Sequence, residues 1–517
     1  MARRSLKYNA AVLTVTGFLV KAIGFVYRVF IANSIGAEGM GLYQLVTPIY
    51  SLLVLVLSAG ISIAVSRFVA EESAKNGEGK GMRIVTLSAG LVLIAGVIVC
   101  GVLLLNLDTL VLGLAGDVRA RKSLIWMLIF VPAIAAGSAY KGYFYGREDM
   151  MPNSIGQILE QIAKLIFVLL LFKAFKGGGI ESMCLLAVIA MLVGECVNVL
   201  TVLVAFWMAK AKKPHANSAR RERGTLRKIA KAALPISINR FILSILGAIE
   251  NVLIPQCLVL YGLTFQESLK VLGRLSGMAA PLVFFPSMLP GALATALVPA
   301  IASAVAAKRY AIANRQISQS IKLTLTMGLI FTSFFACCSQ EIAELIYPGE
   351  NVGGVLYILA FSGVFLYLQQ TMLGILNGLA QETAILINTF IGTAIRLVII
   401  RFAIPVWGVD AYIYALIAGS ALSIGLNMRK ISKITGMSID VGEWLLKPLV
   451  AALLGSLMAI LLKRLPQLWQ MSQRISFVLS MGIALGAILL AFLVLGIVKR
   501  EDLKRWAGRH HMFMYEL

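Results

Sequence analysis

Histidine is nearly missing from this chain, with three in 517 residues. His215 sits in a basic loop, and His510 and His511 sit in the C-terminal tail, so none falls in an apolar tract. The hydrophobic body therefore lacks the side chain most used for proton transfer and metal ligation. The six cysteines (Cys100, Cys184, Cys196, Cys257, Cys337 and Cys338) all lie in apolar runs without CxxC or Cys/His spacing. That spacing suggests neither a disulfide framework nor a zinc site. A nucleotide loop is lacking as well, because NGEGKG at 76–81 does not have the GxxxxGK[ST] spacing that wraps phosphates. No sizeable loop carries paired carboxylates; SQEIAELIYPGENVGG at 339–354 is short, and its acids suit a solvated turn. These absences argue against ATP hydrolysis and glycosyl transfer, and the sequence predicts no enzyme, cofactor or metal.

Acid is scarce: 24 Asp and Glu stand against 47 Lys and Arg, a net charge of +23. An isoelectric point near 9.9 ordinarily suggests nucleic acid. Here the basic residues sit in loops between apolar runs, the pattern left by the positive-inside rule, and no nucleic-acid partner is expected. Apolar residues are what the chain has in abundance. It is 59% hydrophobic and only 14% charged, with mean hydropathy +0.87. A soluble protein would be roughly 25% charged, so the excess apolar surface must face lipid.

A span needs roughly 20 mostly apolar residues. Such tracts occur near 10–33, 42–66, 84–106, 123–145, 153–173, 183–208, 232–260, 277–304, 317–338, 352–376, 383–405, 409–428, 444–462 and 475–498. The sequence therefore predicts an all-α integral membrane protein with fourteen transmembrane helices. MARRSLK precedes an apolar stretch too long for a signal-peptide core, which reads as a retained first span. An even number of spans puts both termini on one side. Segments on that side hold 27 Lys and Arg and the opposite segments hold 11, so both termini are expected in the cytoplasm and the chain in the cytoplasmic membrane.

An offset of 232 residues relates the two halves: Arg83 to Arg315, Ser88 to Ser320, Gly142 to Gly374, Gly146 to Gly378 and Lys164 to Arg396. Six spans per copy is even, so the copies form a parallel repeat about an axis along the membrane normal. The expected organisation is an N-lobe over 1–208, a basic cytoplasmic linker over 209–231, a C-lobe over 232–428, and two further helices with a basic tail over 429–517. G142YFYG146 and G374ILNG378 are GxxxG pairs, read as close helix packing. Twin lobes with a seam between them is a transporter plan, with substrate near the midplane at the repeat interface.

LVKAIGFVYRVF at 19–30 interrupts the first span with Lys21 and Arg28. Charge near a bilayer centre costs at least ~2.5–3.5 kcal/mol. Seven residues apart, the two share a helix face about 10.5 Å apart along the axis. Two bases without an acid on the same helix face suit an anionic ligand such as a phosphate or diphosphate; snorkelling is the alternative, more for Arg28 than for Lys21. Arg274 opens the eighth tract and is read either as a third such base or as an interfacial arginine. Glu160 and Lys164 are an i,i+4 pair expected to neutralise one another. Arg396, at the repeat-matched position, has no acid four residues before it. Glu195 and Glu250 are buried acids that could couple an ion (H+ or Na+) or pair with cavity bases. Pro281, Pro286, Pro290 and Pro299, with Gly277 and Gly291, predict a bent or broken eighth helix.

KAIGFVYR (21–28), SIGAEGMGLYQLVTPIY (34–50), SAGISIAVSRFVAEE (58–72) and GRLSGMAAPLVFFPSMLPGALATALVPAIA (273–302) resemble the stage V sporulation protein B group of polysaccharide-biosynthesis-type exporters. That group is akin to the lipid II flippase MurJ, in the MOP superfamily that also holds MATE antiporters. The resemblance implies a flippase for lipid-linked cell-wall sugars, working by alternating access among membrane lipids, with cell-wall synthesis enzymes as partners in sporulation. It also implies that Lys21 and Arg274 meet the diphosphate. Arg28 stands one residue beyond the family position, where this chain has Tyr27, and LVTPIYSLLVLVLSAG lacks the second-span arginine of MurJ-like proteins. The competing expectation is a MATE-like drug or organic-cation antiporter, which would want a carboxylate in the first two spans, where there is none.

Overall fold

The computed structural model describes residues 6–75, 79–111, 113, 116–211, 225–438, 440–465 and 472–497. Most of the basic linker, the tail from 498 onward and all three histidines lie outside the described residues. Among the described residues there is no strand. Among the described residues, eleven helices are long and apolar enough to cross a membrane, or twelve if the pair Gly353–Ala360 and Ser362–Gly378, bent by 47°, is one span. The eleven include stretches of 58 residues (Val15–Glu72) and 61 residues (Met151–Ala211), in which neighbouring apolar tracts run together without a long loop.

The chain forms two compact units. The first runs to Gln256 and also takes in Thr264–Gly273. It contains α1 (Leu6–Lys75), α2 (Gly79–Leu105), α3 (Leu107–Leu110), α4 (Arg121–Gly146), α5 (Met151–Phe175), α6 (Gly179–Ala211), most of α7 (Thr225–Leu260) and α8 (Phe265–Leu272). α1 changes direction at Gly36, where φ is 70° and ψ 178°, a conformation that costs glycine little. Its core joins Leu42, Val46 and Tyr50 of α1 to Leu124, Leu128 and Val131 of α4. Lipid is as apolar as leucine, so this burial stabilises through close packing rather than transfer from water.

Beside the Gly36 bend, Arg119 makes ion pairs to Glu38 and Asp117, each at 2.7 Å. Lys270 of α8 lies 3.8 Å from the other Glu38 oxygen. α8 lies against the same turn through bare backbone. A Cβ at Gly41 would fall 2.0 Å from the Leu269 carbonyl oxygen, and one at Gly273 would fall 1.8 Å from that of Ala37. Gly41→Ala and Gly273→Ala should therefore each lower stability by more than the ~1–3 kcal/mol of ordinary overpacking. Gly101→Ala, with nothing within 4 Å of the added carbon, should be neutral. Thermal unfolding in detergent checks this; equal midpoints for all three variants would contradict it.

The second unit takes Cys257–Leu263 and continues from Arg274. A π-helical stretch (Gly273–Ala279) leads into α9 (Ala280–Phe284), a 3-10 turn (Phe285–Ser287) and α10 (Met288–Ala306). This is the break that the proline run predicts. Tyr367 Oη donates to the Val283 carbonyl at 2.5 Å, satisfying a carbonyl at the break from a neighbouring helix. α11 (Tyr310–Cys337), α12 (Ser339–Ile346), α13 (Gly353–Ala360), α14 (Ser362–Gly378), α15 (Glu382–Trp407) and α16 (Val409–Thr435) follow. α17 (Lys447–Leu462) and α18 (Gln473–Val494) close the described chain. Lys463, just beyond α17, pairs with buried Glu341 at 2.8 Å and so ties this helix pair to α12.

Both GxxxG pairs are close-packing sites. A Cβ at Gly142 would lie 2.6 Å from Ser62 O, and one at Gly146 would lie 2.4 Å from Ser66 O. At Gly374 and Gly378 the facing atoms are Ala294 O at 2.6 Å and Val298 O at 3.1 Å. Ser62 to Ala294 and Ser66 to Val298 are again 232 residues apart. One offset thus relates both members of each contact.

Candidate functional site

Lys21 and Arg28 stand on α1 with Gly24 between them, at the i, i+3 and i+7 positions of one face. A Cβ at Gly24 would meet Gln161 Oε1 of α5 at 3.3 Å, so this face turns toward α5. Lys21 is exposed, Arg28 is half-buried, and Tyr27 beside it is buried, donating to Ala187 O of α6 at 3.4 Å. Among the described residues Lys21 has no hydrogen-bond or ion-pair partner.

In the second unit Arg274 is the second residue of the π-helical stretch, whose widened turn sets its direction. Its Nε is enclosed and makes no hydrogen bond. Two of the three bases singled out in the sequence thus have no partner among the described residues, each in its own unit.

Of the other charges, Glu160, Lys164, Glu250 and Arg396 have partners. Lys164 Nζ lies 2.5 Å from Glu160 Oε1, and both residues are buried. Asn198 of α6 donates to Glu160 Oε2 at 2.7 Å, and Gln161 donates to Oε1 at 3.2 Å. Gly194 makes room for this pair: a Cβ there would sit 2.5 Å from Lys164 Cγ. The repeat-matched Arg396 packs its Cβ 3.0 Å from the place a side chain at Gly419 would take. Asn388 donates to Asn427 at 2.8 Å along the same α15–α16 seam. Glu250 is buried in α7. Glu195 is partly buried, within electrostatic reach of Glu160, Lys141 and Lys164.

Asn198 and Gln161 join this network without having been singled out in the sequence. Gln161 is next to Glu160 on α5, whereas Asn198 reaches it from α6, and only the spacing of Glu195 and Asn198, three apart on α6, could have pointed to Asn198. Among the described residues no cluster of His, Cys, Asp and Glu could hold a metal.

Comparison with known proteins gives the lineage. The family described as "Polysaccharide biosynthesis protein" matches residues 6–305, and the MatE family matches 275–401. Stage V sporulation protein B of Bacillus subtilis (strain 168) is 25% identical over 98% of each chain. Lipid II flippase MurJ of the same organism is 24% identical over 86% of each. Among solved structures, an inward-facing multidrug resistance MATE family transporter of the MOP superfamily is similar with TM-score 0.64 and 16% identity, over 81% of this chain and 96% of that one. A MOP superfamily transporter from Pyrococcus furiosus, whose binding pocket is described as of reverse polarity, is similar with TM-score 0.58 and 16% identity, over 84% and 98%. The chain therefore belongs to the polysaccharide biosynthesis protein family, as a multi-pass membrane protein with the fold of the MATE transporters.

Proposed function

We propose that this protein is a flippase. It moves cell-wall oligosaccharide or peptidoglycan precursors linked to undecaprenyl diphosphate across the cytoplasmic membrane by alternating access, in spore-cortex or cell-wall synthesis. The observation that carries this reading is that Lys21 and Arg274, each in an apolar stretch of its own unit, have no partner among the described residues. An unpaired charge at such a place is costly, and a diphosphate would relieve the cost through charge-assisted hydrogen bonds. Arg28, on the Lys21 face, is a further diphosphate contact in this reading. The names of the relatives support it: one is a sporulation protein and another a lipid II flippase.

The fold favours a second reading, a drug or organic-cation antiporter. A cation site wants a free acid near Lys21, and the acid of α1 nearest to it, Glu38, is bound to Arg119.

The proposed topology has fourteen spans, obtained by dividing the 58- and 61-residue stretches and joining the bent pair. Two six-helix lobes (1–208 and 232–428) form the parallel repeat, and both termini are cytoplasmic. A membrane-impermeant thiol label should reach Gly349→Cys from outside intact cells and Ser218→Cys only after permeabilisation. External labelling of both would overturn the assignment. The driving force is an ion gradient (H+ or Na+) or the membrane potential, with Glu195 and Glu250 as coupling acids and Lys164 and Arg396 as bases that hold the helix seams. Transport in liposomes should persist without ATP and respond to an imposed gradient; strict dependence on ATP would refute this driving force.

A further inference from the structure

We propose that a cavity in the second unit holds the head group of a phospholipid that carries a primary amine, such as ethanolamine. It shares no residue with the candidate site above and stands apart from the flippase reading.

The cavity measures about 470 Å³. It lies where the candidate spans Tyr310–Cys337 and Gly442–Leu462 begin and where Val409–Thr435 ends, so it opens at a membrane boundary. A π-helical turn (Gly442–Leu446) leads there into α17. Asn314, Ser318 and Lys322 line one wall, spaced four residues apart on one face of α11. Asp440, Glu443 and Trp444 line the other. Trp444 is buried, and its Nε1 donates to Ser318 Oγ at 3.1 Å, which joins the two walls.

The charges of the cavity are sorted along these helices. At the inner end Lys322 lies 3.1 Å from Glu443, and Lys447 pairs with the other oxygen of the same carboxylate. Two ammonium groups on one carboxylate leave a surplus of positive charge, suited to a phosphate. The outer end offers acceptors instead. Asn314 Nδ2 donates to Thr435 O at 2.9 Å, which sets its Oδ1 as an acceptor with no partner among the described residues. Asp440 Oδ1 accepts from Glu443 N at 3.0 Å, leaving Oδ2 for an incoming donor. α16 ends here as well, at Gly436, and brings the negative end of its dipole.

Lys322 lies eight residues further into its span than Asn314, a rise of about 12 Å. Lys447 follows Asp440 in the same inward sense. An aminophospholipid presents its charges in that order, with the phosphate next to the acyl chains and the ammonium outermost. Lys322 and Lys447 take the phosphate, and Asp440 and Asn314 take the ammonium. A primary ammonium has three hydrogens to donate to these acceptors; the quaternary ammonium of choline has none. Leu445, Leu449 and Leu453 remain exposed inward from the cavity, an apolar surface for acyl chains. A soluble phosphate ester has no use for that surface, so the occupant is a lipid.

Native mass spectrometry tests this, using the full-length protein stripped of lipid in detergent and then given lipids of identical acyl chains. Wild type should retain phosphatidylethanolamine over phosphatidylcholine by roughly tenfold or more, the effect of one charge-assisted contact. Asp440→Asn, an isosteric change at an exposed residue, should bring the two lipids level. Lys322→Met should weaken both. Soluble phosphoethanolamine at the same concentration should displace neither. Equal retention of the two lipids by wild type would overturn the proposal, and that comparison decides even where a variant misfolds. An ethanolamine preference that survives Asp440→Asn would overturn it too. Displacement by phosphoethanolamine would put a free phosphate ester in the cavity and overturn the lipid assignment.

Discussion

Lys21→Met should lose most transport, while Lys21→Arg should keep much of it. The two replacements separate charge from volume, because methionine approaches lysine in length and carries no charge. Lys21 is exposed on α1 and without a partner among the described residues, so its replacement leaves no buried acid stranded. Losing one charge-assisted contact to a diphosphate costs roughly 1.5–3 kcal/mol, or about 10- to 150-fold in affinity. Arg274→Met should have a similar effect, since its guanidinium Nε is enclosed and makes no hydrogen bond. Arg28→Met should do less, because an arginine at that depth can also extend toward the interface. Transport must be normalised to the amount of protein in the membrane. A Lys21→Met protein that inserts normally and flips at the wild-type rate would show that the α1 stripe binds no anion.

Lys164→Met should be the most destabilising of the charge substitutions, by about 3–5 kcal/mol. The loss comes from what remains: Glu160 is buried, and its nearest compensating charge, 2.5 Å away, is removed. Glu160→Gln in the same chain should recover most of that loss, because a neutral amide can still bond Asn198 and no unpaired charge is left. Thermal unfolding of the single and double variants in one detergent measures this. A double variant no more stable than Lys164→Met alone would show that the two charges are not coupled.

The i,i+4 rule made the Glu160–Lys164 pair legible in the sequence, and the GxxxG spacing did the same for the close contacts of α4 and α14. The third member of the charge network was not legible, because Asn198 lies 38 residues from Glu160 and meets it only when α5 and α6 pack. The prolines after Gly277 marked the eighth tract as broken, yet the π-helical stretch begins ahead of them, at Gly273. That site is set by the approach of Gly273 to Ala37 in another helix, which no local pattern records. Apolar tracts located the membrane helices. They could not show that α1 passes through the segment between two of them with only a bend at Gly36.

The central claim is that this chain moves an anionic lipid-linked sugar, and reconstitution tests it most directly. Liposomes containing only this protein would be loaded with a fluorescent undecaprenyl-diphosphate-linked oligosaccharide, and the fraction accessible to a membrane-impermeant quencher followed with time. The account predicts flipping by the wild type without nucleotide, strong loss in Lys21→Met, and no inhibition by an organic cation. Absence of flipping across a panel of such lipids, together with uptake of the organic cation by the same liposomes, would contradict it.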